Sequence, residues 1–300
     1  VAPNFYVHRR TMRLMPLHKL ILFTGLLLAV VSSGPPCLAQ ETKKLTADEV
    51  ITSHLESIGT AEARSAFKSL VAQGVVEVTI RVGGSGKGKG GAVMASQGPM
   101  SLMGFIFGQE ASNEKIAFNG QKITLGELRP GLRTPFGDFV RKNDVLFRDG
   151  LIGGTLSTAW PFLAANERRG KLRSLGTKSV KDRKAYVVGY EPANGSNLDI
   201  KLYFDAETFQ HLRTDYQQEF VAPTVTNPDK AARQKGTRFK LTEEFSDFRR
   251  EGSVVLPHTY KVQFTIETES HPLLQDWVVT LNQFVLNKTL DAKQFDLTAP

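Results

Sequence analysis

The stretch Thr237–Thr268, TRFKLTEEFSDFRREGSVVLPHTYKVQFTIET, holds two strand-like runs joined at Glu251-Gly252. In the second run Tyr260, Val262, Phe264 and Ile266 alternate with Lys261, Gln263, Thr265 and Glu267. A period of two sends successive side chains to opposite faces, so this run has one apolar and one polar face. Two such runs joined by a short turn predict antiparallel neighbours. Their apolar faces then need a second layer, or a sheet that curves round on itself.

The same pattern extends in both directions. Upstream lie AYVVGYEP (185–192), NLDIKLYFD (197–205), with Leu198, Ile200, Leu202 and Phe204 on one face, a turn over Asp205 to Thr208, and FQHLRTDYQ (209–217). Downstream, DWVVTLNQFVL (276–286) reads as the final strand. Nearer the N-terminus, Val76, Val78, Ile80 and Val82 alternate with Glu77, Thr79 and Arg81. EKIAFNGQKITL (114–125) reads as two short strands joined by Asn119-Gly120, a strong hairpin dipeptide. Gly91 to Phe107 is weaker strand material, rich in small residues and Met. APTVTNPDKAARQKG (222–236) has the Pro, Asn and charge of an exposed loop.

Helices are few. Thr46 followed by Glu49 matches a capping box, and Val50, Ile51, Leu55 and Ile58 follow at helical spacing, with Gly59 as a stop and Thr60 as a second cap. Between residues 134 and 163, TPFGDFVRKNDVLFRDGLIGGTLSTAWPFL loses the period of two. Its apolar residues fall in clusters broken by Gly and Pro, which predicts one or two short helices that need a surface to cover. The fold expected is mainly β (α+β): an incomplete antiparallel β-barrel built as a meander, with an N-terminal helix and a short-helical lid insert at about 134–163.

The first residues have another character. Arg9, Arg10, Arg13 and Lys19 precede the apolar run Leu20–Val31, and SSGPPCLAQ follows. This is the layout of a signal peptide over residues 1–39, with cleavage after Ala39 and a true start at Met12 or Met15. The apolar run is short of the ~20 residues that span a bilayer. Cys37 opens an alternative, a lipid-modified cysteine anchoring an outer-membrane lipoprotein. Residues 40–300 read as a single domain. The chain carries 38 basic and 30 acidic residues. Without the leader's four cations, 34 basic face 30 acidic residues, so the charge does not point to nucleic acid.

RVGGSGKGKGGAV (81–93) comes close to a nucleotide-binding loop. Gly83, Gly88 and Lys89 stand where such a loop needs them, but Gly90 stands where the magnesium-binding hydroxyl belongs, and no amphipathic helix follows. The expectation is a flexible connection between two strands, kept soluble by Lys87 and Lys89, with no nucleotide bound. His54, His211, His258 and His271 are widely separated, and no metal or other cofactor is expected; exposed or half-buried structural histidines explain them. Glu243, Glu244 and Asp247 form a small acidic cluster, with Glu243 and Asp247 on one strand face, read as a solvated face rather than an acid/base pair. No G-x-S-x-G elbow is present, and no enzyme is expected.

Several segments together resemble the periplasmic lipoprotein-carrier superfamily, the LolA/LolB-like outer-membrane lipoprotein-sorting proteins. They are ADEVITSHLESIGTAEARSAFKSLVAQGVV, AYVVGYEP with LDIKLYFDAETFQHLR, FSDFRREGSVVLPHTYKV and LNQFVLNKTLDAKQFDL. The resemblance implies an incomplete barrel with helices plugging its open side, and a concave apolar surface that takes acyl chains. It implies an exported, periplasmic, non-enzymatic carrier of a lipid, acyl chain or lipoprotein tail; the alternative is an envelope sensor or interaction module of the same fold with a membrane-associated protein partner. Phe136, Phe139, Trp160, Phe162 and Leu163 of the insert either cap a core or wall a ligand cavity. Met103 and Phe105, with Met100, add adaptable apolar surface to that wall.

Overall fold

The computed structural model describes residues 44–81, 85–108, 113–126, 133–163, 170–220, 236–268 and 272–298. The expected signal peptide and cleavage site, Cys37 and nearly all of the expected Pro-rich loop lie outside these residues. The described part belongs to one compact unit.

Two helices open it, α1 (Ala47–Ile58) and α2 (Ala61–Ala66). The Thr46 hydroxyl accepts from the Glu49 amide at 3.2 Å, and the Glu49 carboxylate accepts from the Thr46 amide at 2.8 Å, so the capping box is complete. Thr60 caps α2 in turn. Val50, Ile51 and Ile58 form the buried stripe of α1.

Twelve strands follow: β1 (Ser69–Arg81), β2 (Ser85–Gln97), β3 (Met100–Phe107), β4 (Glu114–Phe118), β5 (Ile123–Leu125), β6 (Lys171–Val180), β7 (Arg183–Glu191), β8 (Asp199–Asp205), β9 (His211–Phe220), β10 (Thr237–Glu251), β11 (Val254–Glu267) and β12 (Leu273–Leu286). They form one antiparallel sheet in the order β5-β4-β3-β2-β1-β12-β11-β10-β9-β8-β7-β6. Both halves are meanders, and β12 closes the second half onto β1, pairing Val78 with Trp277. The end strands β5 and β6 do not pair with each other, so the sheet stays open as expected. The opening stretch forms the hairpin β10–β11, with Leu241 opposite Phe264 and Phe245 opposite Tyr260.

Between β5 and β6 lies the insert, with α3 (Pro135–Lys142), α4 (Val145–Arg148) and a 3₁₀ turn at Gly154–Leu156. Its buried residues and those of α1 join the inner faces of the strands in one apolar cluster. Hydrogen bonds from the insert reach β4 through Thr134 and β7 through Asp149. Those strands are second and eleventh in the sheet, about 43 Å apart if it were flat at ~4.8 Å per strand. The chain from Thr134 to Asp149 is mostly helical, rising ~1.5 Å per residue, and cannot span that distance. The sheet must therefore curve round the insert.

The Gly/Lys stretch departs from expectation. From Ser85 onward it is strand, not a flexible connection: Glu77 pairs with Lys89, Val78 with Gly88 and Ile80 with Gly86. Backbone pairing along all of β1 holds a segment whose side chains have little strand preference. The Lys89 ammonium lies 3.3 Å from the Glu77 carboxylate on the outer face.

Candidate functional site

The insert is fastened to the sheet by polar groups set among apolar ones. Thr134 is the N-cap of α3: its hydroxyl accepts from the Gly137 amide at 2.9 Å and donates to Glu114 Oε2 at 2.8 Å. Glu114 is buried, and burial raises its carboxyl to about 8 against the opposing pull of the Thr134 bond. Further along, Asn143 Nδ2 donates to Gln218 Oε1 at 3.2 Å, and the Tyr190 hydroxyl donates to Asp149 Oδ2 at 3.3 Å. The Thr158 amide donates to Ser96 Oγ at 2.9 Å.

Glu243 is the central anchor. It projects from β10 and is wholly enclosed. Its Oε1 accepts from the Gly153 amide of the insert at 2.7 Å and from the Tyr260 hydroxyl, and its Oε2 accepts from the Tyr216 hydroxyl at 2.7 Å. Burial pushes this carboxyl up to about 7, while the three donors pull it down. Burial and the neighbouring carboxylate hold both tyrosines well above the usual phenol range. The solvated acidic face expected here is thus corrected. Insert backbone covers Glu243, whereas Asp247, at a left-handed φ of 56°, is exposed and pairs with Arg249. A signal was present: Glu243 has the strand parity of apolar Leu241 and Phe245.

Three histidines, His54, His211 and His258, also prove to be buried, against the expectation of exposed or half-buried ones, and His271 lies outside the described residues. His54 of α1 places Nδ1 3.0 Å from the Phe209 carbonyl and accepts at Nε2 from Trp160 Nε1 at 3.2 Å. His211 stacks on Trp160 with ring centroids 4.8 Å apart, and its ring lies 6.1 Å from that of His54. Burial lowers His54 to about 4 and holds His211 well below the usual imidazole range, with His54 adding to the effect on His211. Both are neutral near pH 7. Their 157-residue separation, and the register shift between Tyr203 and Phe204 beside His211, hid the pairing from sequence patterns.

The seven residues expected either to cap a core or to wall a cavity lie in, or packed against, the buried apolar cluster. Phe136 contacts Trp277 and Phe264 at centroid distances of 5.2 and 5.6 Å, and Phe139 contacts Phe264 and Phe239 at 5.1 and 5.8 Å. Phe105 lies 6.1 Å from Trp277, and Met103 belongs to the same buried cluster. Trp160 and Phe162 form a second group, edge to face at 5.0 Å, with Phe162 reaching Tyr190 at 6.2 Å. Leu163 is partly buried against the cluster. Trp277, Phe264 and Tyr260 complete the wall from strands read only as strands. Among the described residues, no cluster of three or more His, Cys, Asp or Glu side chains could hold a metal ion.

Fold and site together define an open antiparallel sheet wrapped round a helical, aromatic-rich insert. No family model matches the sequence, and no curated protein matches it. Similar solved structures include a LolA superfamily protein from Nitrosomonas europaea (11% identity, 84% of this chain and 97% of that one, TM-score 0.39). They also include a putative outer membrane lipoprotein-sorting protein domain from Vibrio parahaemolyticus (8%, 83% and 97%, TM-score 0.41). A DUF1329 family protein from Desulfovibrio piger is a third (10%, 84% and 98%, TM-score 0.40).

Proposed function

We propose that this chain is an exported, non-enzymatic carrier that holds an acyl chain, lipid or lipoprotein tail between the sheet and its insert. The observation that carries the reading is the insert itself: an aromatic-rich segment laid across the inner face of a curved, open sheet. In the state described, Phe136, Phe139, Trp160 and Phe162 fill the space a guest would take, with Met103, Phe105 and Leu163 around them. Loading moves the insert outward and exchanges its aromatic contacts for contacts with the guest. The two helices of the insert are eight and four residues long, too short to be stable alone, so displacement disrupts little independent structure. Burial of the guest's apolar area, at ~25 cal/mol per Å² before entropic losses, drives the exchange. The protein acts in the periplasm, free after cleavage or anchored through Cys37.

The chain's two tryptophans, Trp160 and Trp277, both stand in this wall and report on it. Protein exported to the periplasm is extracted with organic solvent, and the extract is examined by mass spectrometry. Tryptophan emission is followed while palmitate or a triacylated peptide is added. Co-purifying lipid and a saturable emission change are expected. A lipid-free protein whose emission ignores both additions overturns the carrier reading.

A further inference from the structure

Two consecutive glycines of the insert, Gly153 and Gly154, lie at left-handed φ values of 79° and 51°. Their backbone presses directly onto the sheet. The Gly153 amide donates to Glu243 Oε1 at 2.7 Å, and a Cβ on Gly154 would lie 2.7 Å from His211 Nδ1. No side chain fits at Gly154, and glycine lets the backbone come this close. Adjacent insert residues thus cover two polar groups of the sheet, Glu243 on β10 and His211 on β9.

Both groups are acceptors. Glu243 takes its hydrogen bonds from Gly153, Tyr216 and Tyr260. His211 Nε2 lies 3.1 Å from the Arg213 carbonyl and 2.8 Å from Thr214 Oγ1. A carbonyl only accepts, so Nε2 carries the proton and Nδ1 presents a lone pair. Nδ1 is buried and has no hydrogen-bond partner among the described residues. Nor has the hydroxyl of Thr155, next along the insert. The Gly154 amide turns elsewhere, to the Leu151 carbonyl at 3.3 Å. An unfilled acceptor in an otherwise paired core is costly and needs a cause. Here the insert's backbone answers only one of the two acceptors it covers.

We infer that Glu243 and His211 form the carrier's head-group subsite, for an acyl chain whose head donates hydrogen bonds and carries no negative charge, such as an amide. The inference rests on the carrier reading and makes it specific. In the closed state the Gly153 amide stands in for the guest's N–H. When the insert moves out, Glu243 Oε1 loses that donor and His211 Nδ1 is uncovered with it. A guest's N–H or O–H restores the first bond and supplies the second. A carboxylate head offers no donor and brings a second negative charge to a site that already holds one. Phe245, with its ring 4.6 Å from that of His211 and 5.3 Å from that of Tyr260, gives the subsite an apolar wall. Beside such a wall, a head that leaves the acceptors unfilled is penalised more than it would be in water.

The test compares three heads on one straight chain, lauramide, methyl laurate and laurate, with the exported protein at pH 8, above the value of about 7 at which Glu243 ionises. Emission of Trp160, stacked on His211 at 4.8 Å, reports occupancy. Expected is a Kd for lauramide at least about tenfold below both others, the size of a hydrogen bond to a charged group. Glu243→Gln removes the charge and keeps the shape, so the gap between laurate and lauramide should narrow. An unchanged gap in that variant overturns the assignment to Glu243. If the variant does not fold, the order of the three heads in the unaltered protein still decides. Methyl laurate or laurate bound as tightly as lauramide overturns the subsite and leaves the carrier reading standing. So does a co-purified lipid whose only head group is a carboxylate. No emission change with any of the three, together with no extractable lipid, overturns both.

Discussion

Glu243 and Glu114 make the fastening of the insert sensitive to pH, and the sign follows from their surroundings. Their folded carboxyls stand at about 7 and about 8, above the 4.5 of an ordinary glutamate. Between those values the folded state binds more protons than the unfolded chain, so their contribution to stability falls as pH rises. His54 and His211 work in the other direction, since both are held below 6.5 in the folded state and favour folding as pH rises toward that value. Between pH 4.5 and 6.5 the two pairs oppose each other; from pH 6.5 to about 8 the carboxyls act alone. Urea midpoints should therefore fall over that window, and Glu114→Gln with Glu243→Gln should flatten the decline. A midpoint that rises from pH 6.5 to 8 in the unaltered protein contradicts the assignment. Lys89→Ala is the contrasting case: its ion pair is about two-thirds exposed on both sides, worth ~0–1 kcal/mol. Fold and lipid binding should survive it, as denaturation and parinaric-acid titration can check; loss of an ATP-dependent activity in that variant would revive the nucleotide loop. Residue types made the buried aromatic residues of the insert legible. Glu243 shared the strand parity of Leu241 and Phe245, but the insert backbone that covers it lies some ninety residues away and could not be read from the strand.

Among the elements, α3 depends on one side chain for two purposes. Thr134→Ala removes a helix cap, which costs about 1 kcal/mol. It also strips the buried Glu114 carboxyl of its donor, which costs a further ~1–3 kcal/mol. Thr134→Ser keeps both bonds and should restore most of the loss; equal denaturation midpoints for Thr134→Ala and the unaltered protein rule out the double role. Thr46→Ala, at the capping box of α1, should cost only about 1 kcal/mol, since its partner Glu49 is exposed. Local signals of this kind suffice to place the caps at Thr46 and Thr60, the Asn119-Gly120 turn and the alternating strands β10 to β12, but not the cap at Thr134. They fail for β2, where Ser85 to Gly91 has no alternating apolar pattern and is strand because β1 pairs with it throughout. Strand identity there comes from a neighbour, which a single segment cannot report.

At the scale of the molecule, the sheet and its insert are held by different means, and this predicts the order in which they open. The central strands β1, β12, β11 and β10 are long and paired with a neighbour on each side, β1 along nearly its whole length on both. The insert has two short helices and a 3₁₀ turn, joined to the sheet by a few side-chain hydrogen bonds and its aromatic contacts. Local opening is easiest where ordered backbone is short and its bonds are few. Amides of Phe139 to Leu156 should exchange with deuterium well before those of Val76 to Ile80 and Val262 to Phe264, by a subglobal opening that keeps the strands paired. Glu243→Leu should hasten the insert's exchange further, because it leaves the Gly153 amide and two tyrosine hydroxyls without their shared acceptor. A guest lodged between insert and sheet should change exchange in this segment and leave the solvent-exposed edge strand β6 unaffected. If insert and central strands instead exchange together at one global rate, the insert is an ordinary part of the core and does not act as a lid.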